Sequence, residues 1–189
     1  MKYTLQFRIW HWVNAVIVLG LLGTVFLRKT FLSWRTNSEI LMTQLGEMGT
    51  EITQAQAKIL AKAVRAGMWE WHIILGYALA ALILFRIYLY FKDSSEKKKF
   101  TALEPRNKAR YILYYLFYAA VTFMAVSGLV IHFHESLSLS KEFAKEVAEI
   151  HEFVYNAILI FVVVHVAGVI VSESREENGL ISSMFNGKA

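Results

Sequence analysis

The stretch 151-HEFVYNAILIFVVVHVAGVIVS-172 decides the fold. Between Phe153 and Val171 it carries no acidic or basic residue, and His165 stands inside the apolar run. At about 1.5 Å of rise per residue, a helix of this length matches a hydrocarbon core about 30 Å thick. Three other stretches have the same character. Ile9 to Leu27 and Tyr111 to Phe133 carry no charge, and Trp69 to Phe91 carries only Glu70 near its start and Arg86 near its end. Transmembrane helices are predicted over 9–27, 69–91, 111–133 and 151–172. Trp10, Trp12, Trp69, Trp71, Tyr111, Tyr114 and Tyr115 lie at their ends, as in the aromatic belt of a membrane interface. Lys2 and Arg8 precede the first run, but that run is too long for a signal peptide and no small-residue cleavage site follows. It reads as a retained helix.

The totals agree with the patches. Of 189 residues, 56% are hydrophobic and 19% charged, with a mean hydropathy of +0.41; a soluble domain is about one quarter charged. One domain over 1–189 is expected, and a single proline without low-complexity tracts argues against disorder. The net charge of +5 is scattered between apolar runs rather than gathered on one face. It reads as topology, not as a nucleic-acid surface. The second connection holds Lys92, Lys97, Lys98, Lys99, Arg106, Lys108 and Arg110, whereas the third, His134 to Ile150, is acidic on balance. The positive-inside rule then places the second connection and both termini in the cytoplasm. The fold class is all-α, an integral membrane up-and-down four-helix bundle.

The first connection, 28–68, lies outside on this topology. Its basic residues (Arg28, Lys29, Arg35, Lys58, Lys62 and Arg65) oppose the bias, but charges in long loops weigh little. Thr53 and Gln56 have the spacing of a capping box. Ile52, Ala55, Ile59, Ala63 and Ala66 recur after them at helical spacing. An extra amphipathic helix is expected here, either lying in the interface or packed as a cap over the bundle.

With no cysteine in the chain, disulfides, iron–sulfur clusters and covalent haem attachment are excluded. The six histidines carry the remaining chemistry. His151 and His165 are about 21 Å apart along one helix and within about 40° of one face. They point two ligands at two depths of one bundle. An up-and-down topology supplies partners at both: His72 level with His151 outside, and His11 level with His165 inside. Paired imidazoles from facing helices are what six-coordinate haem iron takes. The predicted iron ligands are therefore His11 with His165, and His72 with His151, on two non-covalent b haems. Small residues beside them would admit a flat macrocycle: Gly76 four after His72, Gly168 three after His165 and Ala15 four after His11, with Gly20 and Gly128 permitting close backbones. His151 has Tyr155 at that position instead. Haem propionates need cations, for which Arg8, Arg86 and Arg110 are candidates inside and Arg28, Arg35 and Arg65 outside. His132 and His134 read as outer-surface residues, although either could replace an outer ligand.

At these residues the chain resembles the bacterial cytochrome b561 superfamily, which includes cytochrome b subunits of nickel–iron hydrogenases and formate dehydrogenases. The matching elements are Phe7-Arg8-Ile9-Trp10-His11-Trp12, Trp71-His72-Ile73-Ile74-Leu75-Gly76, His151-Glu152, His165-Val166-Ala167-Gly168, and the tail from Glu177-Asn178-Gly179-Leu180-Ile181 to Met184. The resemblance implies a bacterial inner-membrane di-haem cytochrome b with the same four ligands. It also implies electron exchange with membrane quinone and with a periplasmic or membrane redox partner. Against this expectation stand a superoxide:quinone oxidoreductase, as some compact relatives are, and a histidine-lined metal transporter. Transport sites, however, gather ligands at one depth. The segment from Arg28 to Met68 is longer than in compact members, which points to a docking surface or lid.

Overall fold

The structure, a computed structural model, describes residues 3–92, 105–175 and 179–187. Lys97, Lys98, Lys99, the Arg106 side chain and the Glu177-Asn178 step of the tail lie outside the described residues, as does Lys2. Among the described residues seven helices follow one another: α1 (Leu5–Lys29), α2 (Trp34–Glu47), α3 (Gln54–Val64), α4 (Ala66–Lys92), α5 (Pro105–Phe133), α6 (Lys141–Arg175) and α7 (Leu180–Phe185). Among the described residues there is no strand. The protein is an all-α membrane helical bundle.

Among the described residues four helices are long and apolar enough to cross a membrane: Leu5–Lys29, the continuous Gln54–Lys92 segment, Lys108–Phe133 and Lys141–Arg175. Their large side chains are widely exposed, among them Val16, Leu84, Phe153 and Ile160. Such apolar surface is stable against lipid tails and not against water. The chain is a multi-pass membrane protein.

Most helices run past their apolar stretches, because capping and polar helix formers extend them. Thr4 Oγ1 accepts from the Phe7 amide at 3.3 Å and opens α1, while Arg28 and Lys29 close it where the helix dipole favours cations. The largest difference from the sequence reading is α6, which starts at Lys141, ten residues before the predicted 151. Ser140 Oγ caps it by accepting from the Phe143 amide at 3.1 Å. The extension, rich in Ala, Glu and Lys, also has a Lys145–Glu149 pair at 3.9 Å. A search for apolar runs does not see a helix made that way.

The chain divides into two compact units, one of Met1–Val16 with Tyr77–Ala189 and one of Ile17–Gly76. In the second, the expected amphipathic helix is a helix pair. Thr53 and Gln56 form the predicted box: Thr53 Oγ1 accepts from the Gln56 amide at 3.3 Å, and Gln56 Oε1 accepts from the Thr53 amide at 2.8 Å. The α2 helix, not anticipated, packs against α3. Gly49, at φ +80°, takes the left-handed turn that ends α2, and the Thr50 amide bonds the Leu45 carbonyl at 2.8 Å. Trp34 of α2 accepts Lys58 of α3 over its ring at 4.7 Å and its own neighbour Arg35 at 4.9 Å.

The buried face of α3 is Ala57 and Ala61, both 0% exposed, whereas Ile59 and Ala63 of the expected stripe face outward. Small side chains bring the two helices close. Ala61→Leu should therefore overpack this contact, by about 1–3 kcal/mol. Hydrogen exchange should accelerate across α2 and α3 and stay unchanged in α5 and α6; unaltered protection in α2 would contradict the packing described.

Candidate functional site

In the unit containing both chain ends, α1 brings His11 forward among aromatic residues. Trp10 is buried, and its indole Nε1 donates to the Leu82 carbonyl of α4 at 2.9 Å. This orients the turn that carries His11, whose ring lies 6.5 Å from Phe7 and 5.4 Å from Trp12. On α6, Phe161 stands one turn before His165 and stacks on its ring, 5.7 Å away and 9° from parallel. Phe117 of α5 stacks on Phe161 at 4.1 Å, and Tyr114 meets His165 edge-on at 6.3 Å. The ring centroids of His11 and His165 are 6.2 Å apart.

That gap has a chemical meaning. Imidazole nitrogen binds first-row metals at about 2 Å, so two imidazoles on opposite sides of one metal have centroids about 6 Å apart. The pair therefore fits an iron between them. Porphyrin supplies four of six iron ligands, so two histidines complete the set for haem. A bare ion held by protein alone needs more, and among the described residues no group of three or more His, Asp or Glu converges.

His72 and His151, on different units, have the same local device. The Thr24 hydroxyl lies 2.7 Å from His72 Nδ1 and donates to the Leu21 carbonyl at 2.6 Å. The Ser127 hydroxyl lies 2.7 Å from His151 Nδ1 and donates to the Phe123 carbonyl at 2.6 Å. Thr24 and Ser127 are 7% and 3% exposed. Trp69, one turn before His72, meets it edge-on at 5.5 Å.

A sequence model of the family described as prokaryotic cytochrome b561 matches residues 2–187. The chain belongs to the prokaryotic cytochrome b561 family. It is accordingly a membrane b-type cytochrome of electron transfer, a family whose cofactor is haem b. Comparison with curated proteins and with solved structures gave no significant match.

For a cytochrome b561, the remaining predicted residues fall into distinct places. A Cβ added at Gly76 or Gly168 would meet nothing within 4 Å, so either position leaves room beside its histidine. Gly128 lies against His151, whose Cε1 would be 3.5 Å from such a Cβ, and Gly20 lies against Leu75. Arg86 is enclosed by aromatic faces, with its guanidinium over Phe7, Trp10 and Tyr118 at 5.1–5.6 Å. Its Nε donates to the Tyr118 hydroxyl at 3.3 Å. Arg8 instead holds the C-terminal helix, donating to the Phe185 carbonyl at 2.8 Å. Arg110 donates to Ser172 at 3.3 Å, and Arg28 lies over Trp69 at 5.8 Å.

The two other histidines sit at the end of α5. His134 Nδ1 lies 2.9 Å from the Ile131 carbonyl of its own last turn, and His132 is exposed with its ring edge-on to Tyr77 and Phe133. His134 thus makes a local contact suited to finishing a helix, and His132 a ring contact with Tyr77 of α4. Thr24 and Ser127 were not singled out by the sequence; their only signal is a hydroxyl inside an apolar run.

Proposed function

We propose that this cytochrome b561 binds two b haems and passes electrons between a partner on the outer face and membrane quinone. His11 and His165 would hold the iron of one haem, and His72 and His151 that of the other. The 6.2 Å separation of the His11 and His165 rings carries this reading. The outer pairing is supported by the matched hydroxyl at each Nδ1. Held by two histidines, such a haem would supply single-electron transfer and leave no iron position for oxygen.

The residues do the rest. Phe161 and Phe117 fix the plane of His165 by stacking, and Trp10 fixes the turn that presents His11. Arg86 supplies a cation near the same helices for a propionate. The proposed setting is the inner membrane of a bacterium, with both termini cytoplasmic by the positive-inside rule.

The visible spectrum and haem content of the purified protein test the reading. The expected result is the paired sharp bands of reduced six-coordinate b haem at two haems per chain. A colourless protein, or one haem per chain, would overturn it. Superoxide-driven reduction of a quinone by the same preparation would place it among the superoxide oxidoreductases instead of beside a protein donor.

A further inference from the structure

We propose that Thr24 and Ser127 are positioning residues that fix the tautomer and donor strength of His72 and His151. The inference rests on the reading of these two histidines as haem ligands. It begins with a count of protons. A hydroxyl has one, and Thr24 places it on the Leu21 carbonyl at 2.6 Å. Its oxygen can then only accept from His72 Nδ1 at 2.7 Å. The proton of neutral His72 is therefore on Nδ1, and the lone pair is on Nε2. Ser127 repeats the arrangement, donating to Phe123 and accepting from His151.

Two histidines from different helices thus share one device: imidazole N–H to hydroxyl, hydroxyl to a backbone carbonyl of the hydroxyl's own helix. Serine and threonine commonly back-bond in this way within apolar helices. Here the back-bond has a second effect, because it commits the hydroxyl to accepting. Ligating histidines are usually oriented by such a partner on the other ring nitrogen, which also raises their basicity. A more basic imidazole favours ferric over ferrous iron. The contrast lies within the same chain. His11 and His165 are surrounded by Phe7, Trp12, Tyr114 and Phe161, and among the described residues no hydroxyl bonds either ring. The two hydroxyls therefore lower the potential at the site they serve and leave the other alone.

A redox titration of the detergent-purified holoprotein, followed by its visible bands, tests this. Thr24→Val and Ser127→Ala should each raise the midpoint of one step, the same step in both, and leave the second unmoved. Thr24→Ser and Ser127→Thr, which keep the hydroxyl, should titrate as the parent does. Unmoved midpoints in both deletions, or equal shifts in Thr24→Ser and Thr24→Val, would overturn the inference. If Thr24→Val fails to accumulate, Ser127→Ala, which removes only one oxygen, decides alone. His72→Ala separates this from the underlying reading. Retention of both haems in that variant defeats the ligand assignment. Loss of one haem, with unmoved titrations in the hydroxyl variants, defeats only the role given to Thr24 and Ser127.

Discussion

If the parent carries the two haems proposed, His165→Ala is expected to yield a purified protein with one. The ring of His165 is held by Phe161 and Tyr114 and faces His11 across 6.2 Å. Alanine keeps the helix, since it is the best helix former, and removes the proposed ligand alone. With no cysteine in the chain, nothing covalent retains the cofactor once an axial bond is gone. About half the absorbance of the haem bands should disappear, and the remaining half should keep the parent band shape. His11→Ala should remove the same half. Loss of both haems, or of neither, would refute the pairing. His132→Ala is the matching control: its ring contacts are Tyr77 of α4 and Phe133 at the end of α5, so haem content should not change. If it falls while His72→Ala leaves it intact, the outer ligand is His132.

Arg8→Ala should release α7 from α1. Arg8 is 9% exposed and donates to the Phe185 carbonyl at 2.8 Å. A Cβ at Gly187, φ +76°, would come within 3.1 Å of the guanidinium, so the chain passes closely over that group. Hydrogen bonds to charged groups contribute about 1.5–3 kcal/mol. Losing this one should raise the undocked population of α7 by about tenfold or more. Cleavage by a protease after residue 175 reports it directly. Arg8→Lys, whose ammonium can still donate to one carbonyl, should release α7 less than Arg8→Ala. Trp12→Phe should release α7 less, since Phe can keep the 4.3 Å ring contact with Phe185 while losing only the 3.2 Å bond to the Met184 carbonyl. Equal protease resistance of Arg8→Ala and parent would show that α7 is held by something else.

The spans were legible because bilayer thickness imposes a length on apolar runs; α5 ends at Phe133, where its run ends. The failures share a cause, which is helix formation without apolarity. The first ten residues of α6 form through a serine cap and helix-favouring residues. Trp34–Glu47 is a polar segment whose N-cap, Ser33, makes no side-chain bond; its order comes from packing on α3. The capping box of α3 was readable, but its buried face was not, because Ala57 and Ala61 gain their role only from the closeness of α2. Leu180–Phe185 is too short to show any period. The chain start is pinned to it by Arg8, a residue expected to face a propionate.

Within the site, the placement of His11 opposite His165 was legible as equal depth in antiparallel helices. The partnerships of Thr24 and Ser127 were not. Thr24 is 48 positions from His72, and a hydroxyl in an apolar helix is ordinarily satisfied by its own backbone. Both do that as well, so only the second contact distinguishes them.

The bond between Arg8 and Phe185 joins positions 177 apart. At about 5–20 residues per second, a ribosome takes roughly 10–35 s to make the acceptor after the donor. During that interval the guanidinium, buried in the finished protein, must rest on water or lipid phosphate, towards which a long cationic side chain readily reaches. Docking of α7 then exchanges that partner for a peptide carbonyl. Attachment of α7 to the first helix is thus a late event in biosynthesis, and a chain stalled before Leu180 would still lack the carbonyl to which Arg8 donates.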